Sequence, residues 1–207
     1  MDHDKIEMRN VVDGRTVYSK SDLGKYKVYA LREKIQAVYP ETRVTAHRRN
    51  VMEISPMELA VWAESADAAL VGIDEGNAIL RLNEAFCPRI TTYYQGVHPQ
   101  GRSGQIIITR PGSPCLKCCM QVQSPQEVQT LHREPGLGIH FGMIAQITVQ
   151  LVIQELAARW GSRLGPPLDP RVNLLYVTNM KERLTPFAPG IIPFHIERSP
   201  ECTICSS

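Results

Sequence analysis

The chain has 207 residues, of which 43% are hydrophobic and 21% are charged, a composition typical of a soluble globular protein with one domain. The formal net charge is +2, and the lack of a long run of like charges argues against a nucleic-acid-binding arm. Residues 1–5 form no apolar signal region, so we expect a cytoplasmic protein.

The first half of the chain alternates between helical and strand patterns. A capping box with proline at the first helical position, Ser55-Pro56-Met57-Glu58, predicts one helix start. The predicted elements are helices over 22–38, 56–65 and 77–86 and strands over 42–47, 67–73 and 89–94. The strand over 67–73 is a continuous apolar run, typical of a strand buried on both faces of a parallel sheet. This alternation of helices and strands predicts an α/β fold. Asp74 would then lie just beyond the carboxyl end of a strand, where open α/β sheets bind ligands.

The second half has a different pattern. We predict strands over 104–109, 172–178 and 183–187, a second capping box starting at Ser124, and a long helix over 141–160. Gln146, Gln150 and Gln154 form one polar stripe on the long helix, which indicates a buried amphipathic helix and argues against a membrane span. We expect the sheet to be mixed or antiparallel in this part.

Four of the six cysteines form two Cys-x-x-Cys pairs, Cys115 with Cys118 and Cys202 with Cys205. Each such loop can direct two thiolates at one tetrahedral metal, so the two pairs together predict a Cys₄ zinc site. Three alternatives remain at this point: a redox dithiol, two disulfides, or cysteines buried as small hydrophobic residues. A reducing compartment favours the metal over disulfides.

Several short segments of the chain resemble motifs of one known family. They are Asp2-x-Asp4-x-Ile6 with Asn10, Gly24-Lys25-Tyr26-Lys27, Asp74, Gly104-Gln105-Ile106 leading through Pro114 to Cys115, and Pro200-Glu201 before Cys202. In order, spacing and context they are similar to the acidic strand end, asparagine loop, Gly-x-x-Lys helix start and zinc knuckles of the ThiF/MoeB adenylyltransferases, which are related to ubiquitin-activating enzymes. The resemblance covers essentially the whole chain.

The resemblance implies a Rossmann-like doubly wound sheet in a single ThiF-like domain over residues 1–207. Residues 1–100 would form a partial nucleotide-binding half, and residues 101–207 a zinc-knuckle and carrier-binding half. The implied enzyme uses ATP and Mg²⁺ to adenylate the C-terminal Gly-Gly carboxylate of a ubiquitin-like or sulfur-carrier protein. It would act as a homodimer, with no nucleic-acid or membrane partner.

The resemblance also implies a role for each matching polar residue. Asp2 would bind the ribose hydroxyls, Asn10 and Lys27 the phosphates, and Asp74 the magnesium ion, with Lys27, Asp74 and Arg15 as the catalytic group. Each role has an ordinary structural alternative: Lys27 as a solvated helix lysine, Asn10 as a turn former, and Asp74 as the N-cap of the next helix. Arg15 is either displaced into the catalytic role or an exposed loop residue.

The chain departs from the family pattern at three points. The glycine-rich phosphate loop is expected before Asp2, and no G-x-G-x-x-G occurs in the sequence; the glycines of 136–142 have the wrong spacing. Asp13 stands where the catalytic arginine is expected, and Glu75 replaces the asparagine that usually follows the magnesium aspartate.

Cys87 and Cys119 are not placed like the family's transfer cysteine, so we expect buried thiols and a reaction that stops at the acyl-adenylate. Two functions therefore compete: an active adenylyltransferase, and a truncated or degenerate homologue that serves as a zinc-stabilised protein-binding platform. A zinc-dependent nucleic-acid binder is a weaker third hypothesis, since no basic cluster accompanies the cysteine pairs.

Overall fold

The computed structural model describes residues 1–12, 17–98, 103–120, 138–162, 164–180 and 189–205. Backbone contacts divide the chain into two compact units. The first comprises Met1–Ser55 with Leu137–Ile139, and the second comprises Pro56–Gly136 with His140–Ser207. The predicted division into halves at residue 100 is a functional one and stays a prediction.

The first unit is held together by two extended segments and a helix. Its helices are α1 (Arg9–Val12) and α2 (Lys27–Val38), with 3-10 turns at Lys20–Asp22 and Val51–Glu53. Backbone hydrogen bonds join residues 4–6 to residues 24–27: Ile6 N donates to Lys25 O at 2.8 Å, and Lys27 N donates to Asp4 O at 2.9 Å. Gly24 has a φ of 81°, a left-handed conformation that favours glycine just before α2. These bonds bring the acidic N-terminal segment beside the start of α2.

The second unit contains the sheet. Its elements are α3 (Pro56–Glu64), β1 (Ala69–Val71), α4 (Gly76–Phe86), β2 (Thr92–Val97), β3 (Ser103–Thr109), α5 (Leu116–Met120), α6 (Gly138–Arg159), β4 (Leu174–Thr178) and β5 (Gly190–Phe194). The strand order is β1-β2-β3-β4-β5, with β1 and β2 parallel and every later pair antiparallel. The fold is therefore α/β with a five-strand mixed sheet among the described residues.

Helices α5 and α6 contact this sheet. On one face, Ile144 and Val152 of α6 join a core with strand residues such as Tyr93, Ile106 and Val177. A Cβ at Gly104 would overlap the Ile144 side chain and a neighbouring carbonyl, so glycine is required where α6 lies against β3. In addition, α5 contacts β3, and α4 packs against α5.

A polar network joins α6 to β2 and to the residue that follows β3. Tyr93 Oη donates to Glu155 Oε2 at 2.6 Å, and the same carboxylate accepts from Arg110 at 3.3 Å and from Arg159 at 2.8 Å. Burial raises the pKa of Glu155, but these hydrogen bonds and charges together lower it below its ordinary value. Segment Phe141–Arg159 is long and apolar enough to cross a membrane by length and composition alone, as are many core helices. Packing against the sheet accounts for part of that composition, since Ile144 and Val152 are buried whereas Val149 and Ile153 are 46% and 45% exposed.

Much of the predicted secondary structure is confirmed. The helices at 56–65, 77–86 and 141–160 and the strand at 104–109 are observed with small changes of boundary. The crossover from β1 through α4 to β2 gives the predicted parallel pair. The strand predicted over 89–94 begins three residues later, because Arg89 N and Ile90 N still donate to Phe86 O at the end of α4. The strand over 183–187 and the capping box at Ser124 lie outside the described residues.

One strand prediction is wrong, and a second strand is present but is not buried as predicted. Residues 42–47 are not a strand: Asp2 N donates to His47 O at 3.2 Å and Thr42 N donates to Tyr39 O at 3.0 Å, whereas a strand needs a continuous ladder of bonds to a neighbour. The strand over 67–73 shortens to β1 and lies at the edge of the described sheet, with Leu70 47% exposed. It is therefore not buried on both faces.

Candidate functional site

The four cysteines of the two Cys-x-x-Cys pairs converge in the second unit. Their Sγ atoms all lie within 4.8 Å of one another. Cys115 Sγ is 3.9 Å from Cys118 Sγ and 3.5 Å from Cys202 Sγ, and Cys118 Sγ is 3.5 Å from Cys205 Sγ. We call this group the four-cysteine cluster. Three of its members are buried and Cys205 is partly buried.

Short local structures present these sulfur atoms. Cys115 immediately precedes α5, so Cys118 lies one helical turn further on, and the Cys119 N–H donates to Cys115 O at 3.1 Å. A turn in which Cys202 N donates to Ser199 O at 3.1 Å presents the second pair. Arg198 also donates to Gly112 O at 2.6 Å, which joins the segment before the second pair to the turn before the first.

Hydrogen-bond donors surround the Cys115 sulfur. Interaction with Cys87 is the largest cause that lowers the pKa of Cys115, burial opposes it, and the Cys118 N–H lowers it further. Such donors stabilise a thiolate, which is the form of cysteine that binds metals. Burial is the main cause that raises the pKa of Cys205. Several thiolates in one buried site repel one another unless a cation is present.

The cluster is consistent with a zinc site. Four thiolates 2.3 Å from a tetrahedral Zn²⁺ would be roughly 3.8 Å apart, close to the observed sulfur separations. Two disulfides within the pairs do not fit, because sulfur atoms of different pairs approach more closely than Cys115 and Cys118 do. A redox dithiol accounts for one pair and leaves the other unexplained.

The residues assigned to the nucleotide by resemblance lie in both units. In the first unit, Lys27 Nζ is 2.7 Å from Asp4 Oδ2 and 3.9 Å from Asp2 Oδ2. Hydrogen bonding to Lys27 is the largest cause that lowers the pKa of Asp4. Lys27 is therefore an ion-paired residue at the start of α2, and the alternative of a purely solvated lysine is wrong. Ligand atoms of Asp2, His3 and Asp4 also lie within 4.8 Å of one another, but these side chains are largely exposed.

The structure describes Asn10 but not Arg15. Asn10 lies in α1, and its Oδ1 accepts from Glu7 N at 2.9 Å, as the alternative of a turn former requires. Arg15 and Asp13 lie outside the described residues. The phosphate role of Asn10 and the catalytic role of Arg15 stay predictions.

Asp74 follows β1 in the second unit and is exposed. The N-cap of α4 is Glu75, so the alternative in which Asp74 caps this helix is wrong. A carboxylate just beyond the carboxyl end of a parallel strand stands where α/β sheets bind ligands. Its magnesium role stays a prediction.

Sequence reasoning missed two residues that matter to these sites. The family motifs assign no role to Asp4, although the Asp-x-Asp spacing, together with a lysine motif, is a signal for its ion pair with Lys27. Asn83 accepts from Leu116 N at 3.0 Å next to the first cysteine, and no local pattern indicated this contact. Cys87 and Cys119 are buried thiols, as predicted.

Solved structures with similar folds were found at low sequence identity. MccB from E. coli with bound ATP has a TM-score of 0.71 and 18% identity, covering 99% of this chain and 57% of that chain. The microcin C7 biosynthetic enzyme MccB in complex with N-formylated MccA has a TM-score of 0.72 and 18% identity, covering 99% and 58%. PaaA has a TM-score of 0.61 and 12% identity, covering 94% and 63%. The chain thus spans less than two thirds of the length of these proteins, and identities this low show a shared fold alone.

A search of the curated proteins found no match. The sequence does match the ThiF family over residues 1–190, a range that includes Asp2, Lys27, Asp74 and the first cysteine pair. The α/β fold and the four-cysteine cluster agree with that match. The chain belongs to the ThiF family.

Proposed function

We propose that the protein is an ATP-dependent adenylyltransferase that activates the C-terminal carboxylate of a protein as an acyl-adenylate. The observation that carries the proposal is the match to the ThiF family over residues 1–190. Asp2 and Lys27, 3.9 Å apart in one unit, supply the chemistry that the sugar and phosphates of ATP require. The fold shared with ATP-bound MccB supports a nucleotide substrate, held by a Rossmann-like doubly wound sheet.

Each residue has a distinct part in this proposal. The Asp2 carboxylate accepts hydrogen bonds from ribose hydroxyls, and the Lys27 ammonium and Asn10 amide donate to phosphate oxygens. Asp74 would hold Mg²⁺, which would supply positive charge to the phosphoryl centre. Arg15 adds a second positive charge there. The carboxylate of the protein substrate attacks the α-phosphorus of ATP, and pyrophosphate leaves.

We further propose a ubiquitin-like or sulfur-carrier protein ending in Gly-Gly as the substrate. The structure of MccB with MccA supports a polypeptide partner for this fold. The four-cysteine cluster holds a structural zinc ion, because its thiols leave no open ligand position once all four bind. A cytoplasmic homodimer completes the proposal, on the family resemblance.

ATP–pyrophosphate exchange tests the proposed activity. Purified protein is incubated with ATP, Mg²⁺, labelled pyrophosphate and a carrier protein ending in Gly-Gly, and label entering ATP is measured. We expect exchange that depends on the carrier and is lost when its last two glycines are removed. Carrier binding without any exchange would refute the proposed adenylyltransferase activity.

A second candidate is a non-catalytic protein-binding platform. One contrast favours it: the Lys27 charge is already paired with Asp4, whereas the four-cysteine cluster contains all four ligands of a zinc site. Carrier binding with no exchange would be the result expected for this candidate. Carrier-dependent exchange would exclude it.

A further inference from the structure

One face of α4 is turned toward the four-cysteine cluster. Asn83 and Cys87 are four residues apart, so both lie on that face. Cys87 is buried in the same side-chain cluster as Cys115, Cys118 and Cys202. It is not one of the four residues whose ligand atoms converge, so its thiol lies outside the set of candidate metal ligands.

The Asn83 carboxamide has one polar atom that is hydrogen-bonded and one that has no hydrogen-bond partner among the described residues. The side chain is 0% exposed, and its Oδ1 accepts from Leu116 N at 3.0 Å. Because Leu116 N is a donor, this bond fixes the orientation of the amide and leaves Nδ2 as the free end. Nδ2 is buried and has no hydrogen-bond partner among the described residues. A buried donor without a partner normally costs about 1–3 kcal/mol, so its retention needs a reason.

The surroundings of Asn83 supply an acceptor for this donor. Leu116 directly follows Cys115, whose side chain is also 0% exposed. The bond from Leu116 N to Oδ1 therefore holds the Asn83 carboxamide beside the residue that follows Cys115. A neutral thiol is a weak acceptor, whereas a metal-bound thiolate accepts hydrogen bonds from nearby amides.

We propose that Asn83 is a positioning residue of the metal centre, in which Oδ1 fixes the first turn of α5 and Nδ2 donates to the Cys115 thiolate when metal is bound. The inference rests on the proposed zinc site. Metal binding then satisfies the buried donor, and the donor in turn stabilises the metal-bound thiolate. Outer groups of this kind typically change metal affinity by about 10- to 100-fold.

Cobalt titration of the full chain tests this role, because Co²⁺ bound to thiolates gives a sulfur-to-metal charge-transfer absorption. In Asn83→Asp, an oxygen can still accept from Leu116 N, but the donor beside Cys115 becomes an acceptor. We expect its Co²⁺ and Zn²⁺ affinities to fall by about 10- to 100-fold and its charge-transfer band to move to longer wavelength. The control is Glu84→Gln, at the exposed neighbouring position on α4, which should match the wild type.

Asn83→Ala and melting curves with and without metal separate positioning from a general structural role. We expect both Asn83 variants to lose part of the metal-dependent rise in melting temperature. Equal destabilisation of the metal-loaded and metal-free protein, with metal affinity unchanged, would overturn the inference. Failure of the wild type to bind Co²⁺ would instead refute the Cys₄ site, and the role of Asn83 with it. Exchange activity is a separate readout, so neither result decides the adenylyltransferase proposal.

Discussion

Lys27 Nζ lies 2.7 Å from Asp4 Oδ2, although the two residues are 23 positions apart in the chain. The backbone bond from Lys27 N to Asp4 O at 2.9 Å brings them together. The lysine that family resemblance assigns to a phosphate is thus paired with a carboxylate. A phosphate that binds Lys27 must compete with Asp4.

Replacing Asp4 should therefore strengthen nucleotide binding. In Asp4→Asn we expect the KM for ATP in the exchange assay to fall by up to about fivefold, the equivalent of an exposed ion pair of about 0.2–1 kcal/mol. In Lys27→Ala we expect the KM to rise. A rise in KM in Asp4→Asn would instead mean that Asp4 positions Lys27 for ATP.

Asp74→Ala should abolish exchange while it leaves the fold intact. Loss of the magnesium ligand removes positive charge from the phosphoryl centre, so we expect exchange to fall by about 100-fold or more. The substitution is at an exposed position, so the free energy of unfolding should change by less than about 0.5 kcal/mol. Asp67→Ala, an exposed aspartate before β1, is the matched control and should retain activity. Normal turnover in Asp74→Ala would remove this residue from the mechanism.

Cys202→Ser should release the metal. We expect about one zinc ion per chain in the wild type and much less in the variant, measured by elemental analysis, with a lower melting temperature. Cys119→Ala is the control, because burial raises the pKa of Cys119 to about 12 and this thiol is outside the four-cysteine cluster. A metal-free protein as stable as the zinc-loaded one would contradict a structural role for zinc.

Asp22 should contribute to the acid sensitivity of the protein. The Lys34 ammonium, 2.9 Å away, is the largest cause that lowers the pKa of this carboxyl, and Ser19 N and Oγ also donate to it, each at 2.9 Å. A lowered folded-state pKa gives stability that is complete above the ordinary value of 3.8 and is lost as the pH falls below it.

We therefore expect Asp22→Asn to destabilise the protein at neutral pH and to differ less and less from the wild type below about pH 4. Denaturant unfolding across this pH range measures the difference. Glu41→Gln, an exposed position in the same unit, should show no such dependence. A constant difference between Asp22→Asn and wild type at every pH would contradict the linkage.

Features with a strict local signature were predictable from sequence. The doubled Cys-x-x-Cys spacing gave the four-cysteine cluster, and the capping box at Ser55 gave α3. The apolar run before Asp74 gave a strand followed by a crossover helix and a parallel neighbour. In each case the information lies within a few adjacent residues.

Features that depend on distant neighbours were not predictable in this way. Residues 42–47 have strand-like composition, but whether they form a ladder depends on which segments lie beside them. The exposure of Leu70 follows from the position of β1 at the edge of the described sheet. The Asp4–Lys27 pair and the Asn83–Leu116 bond join residues 23 and 33 positions apart, beyond the range of any periodicity.

The contact between Cys115 and Cys202 spans 87 positions of the chain. A zinc ion bound there acts as a reversible cross-link that restricts the unfolded chain, and a covalent link closing a loop of this length contributes about 4–5 kcal/mol by chain entropy. Unlike a disulfide, this cross-link depends on mass action: each tenfold rise of free zinc above its Kd adds about 1.4 kcal/mol to the stability. Under zinc limitation the folded fraction of the protein would therefore follow the supply of the metal.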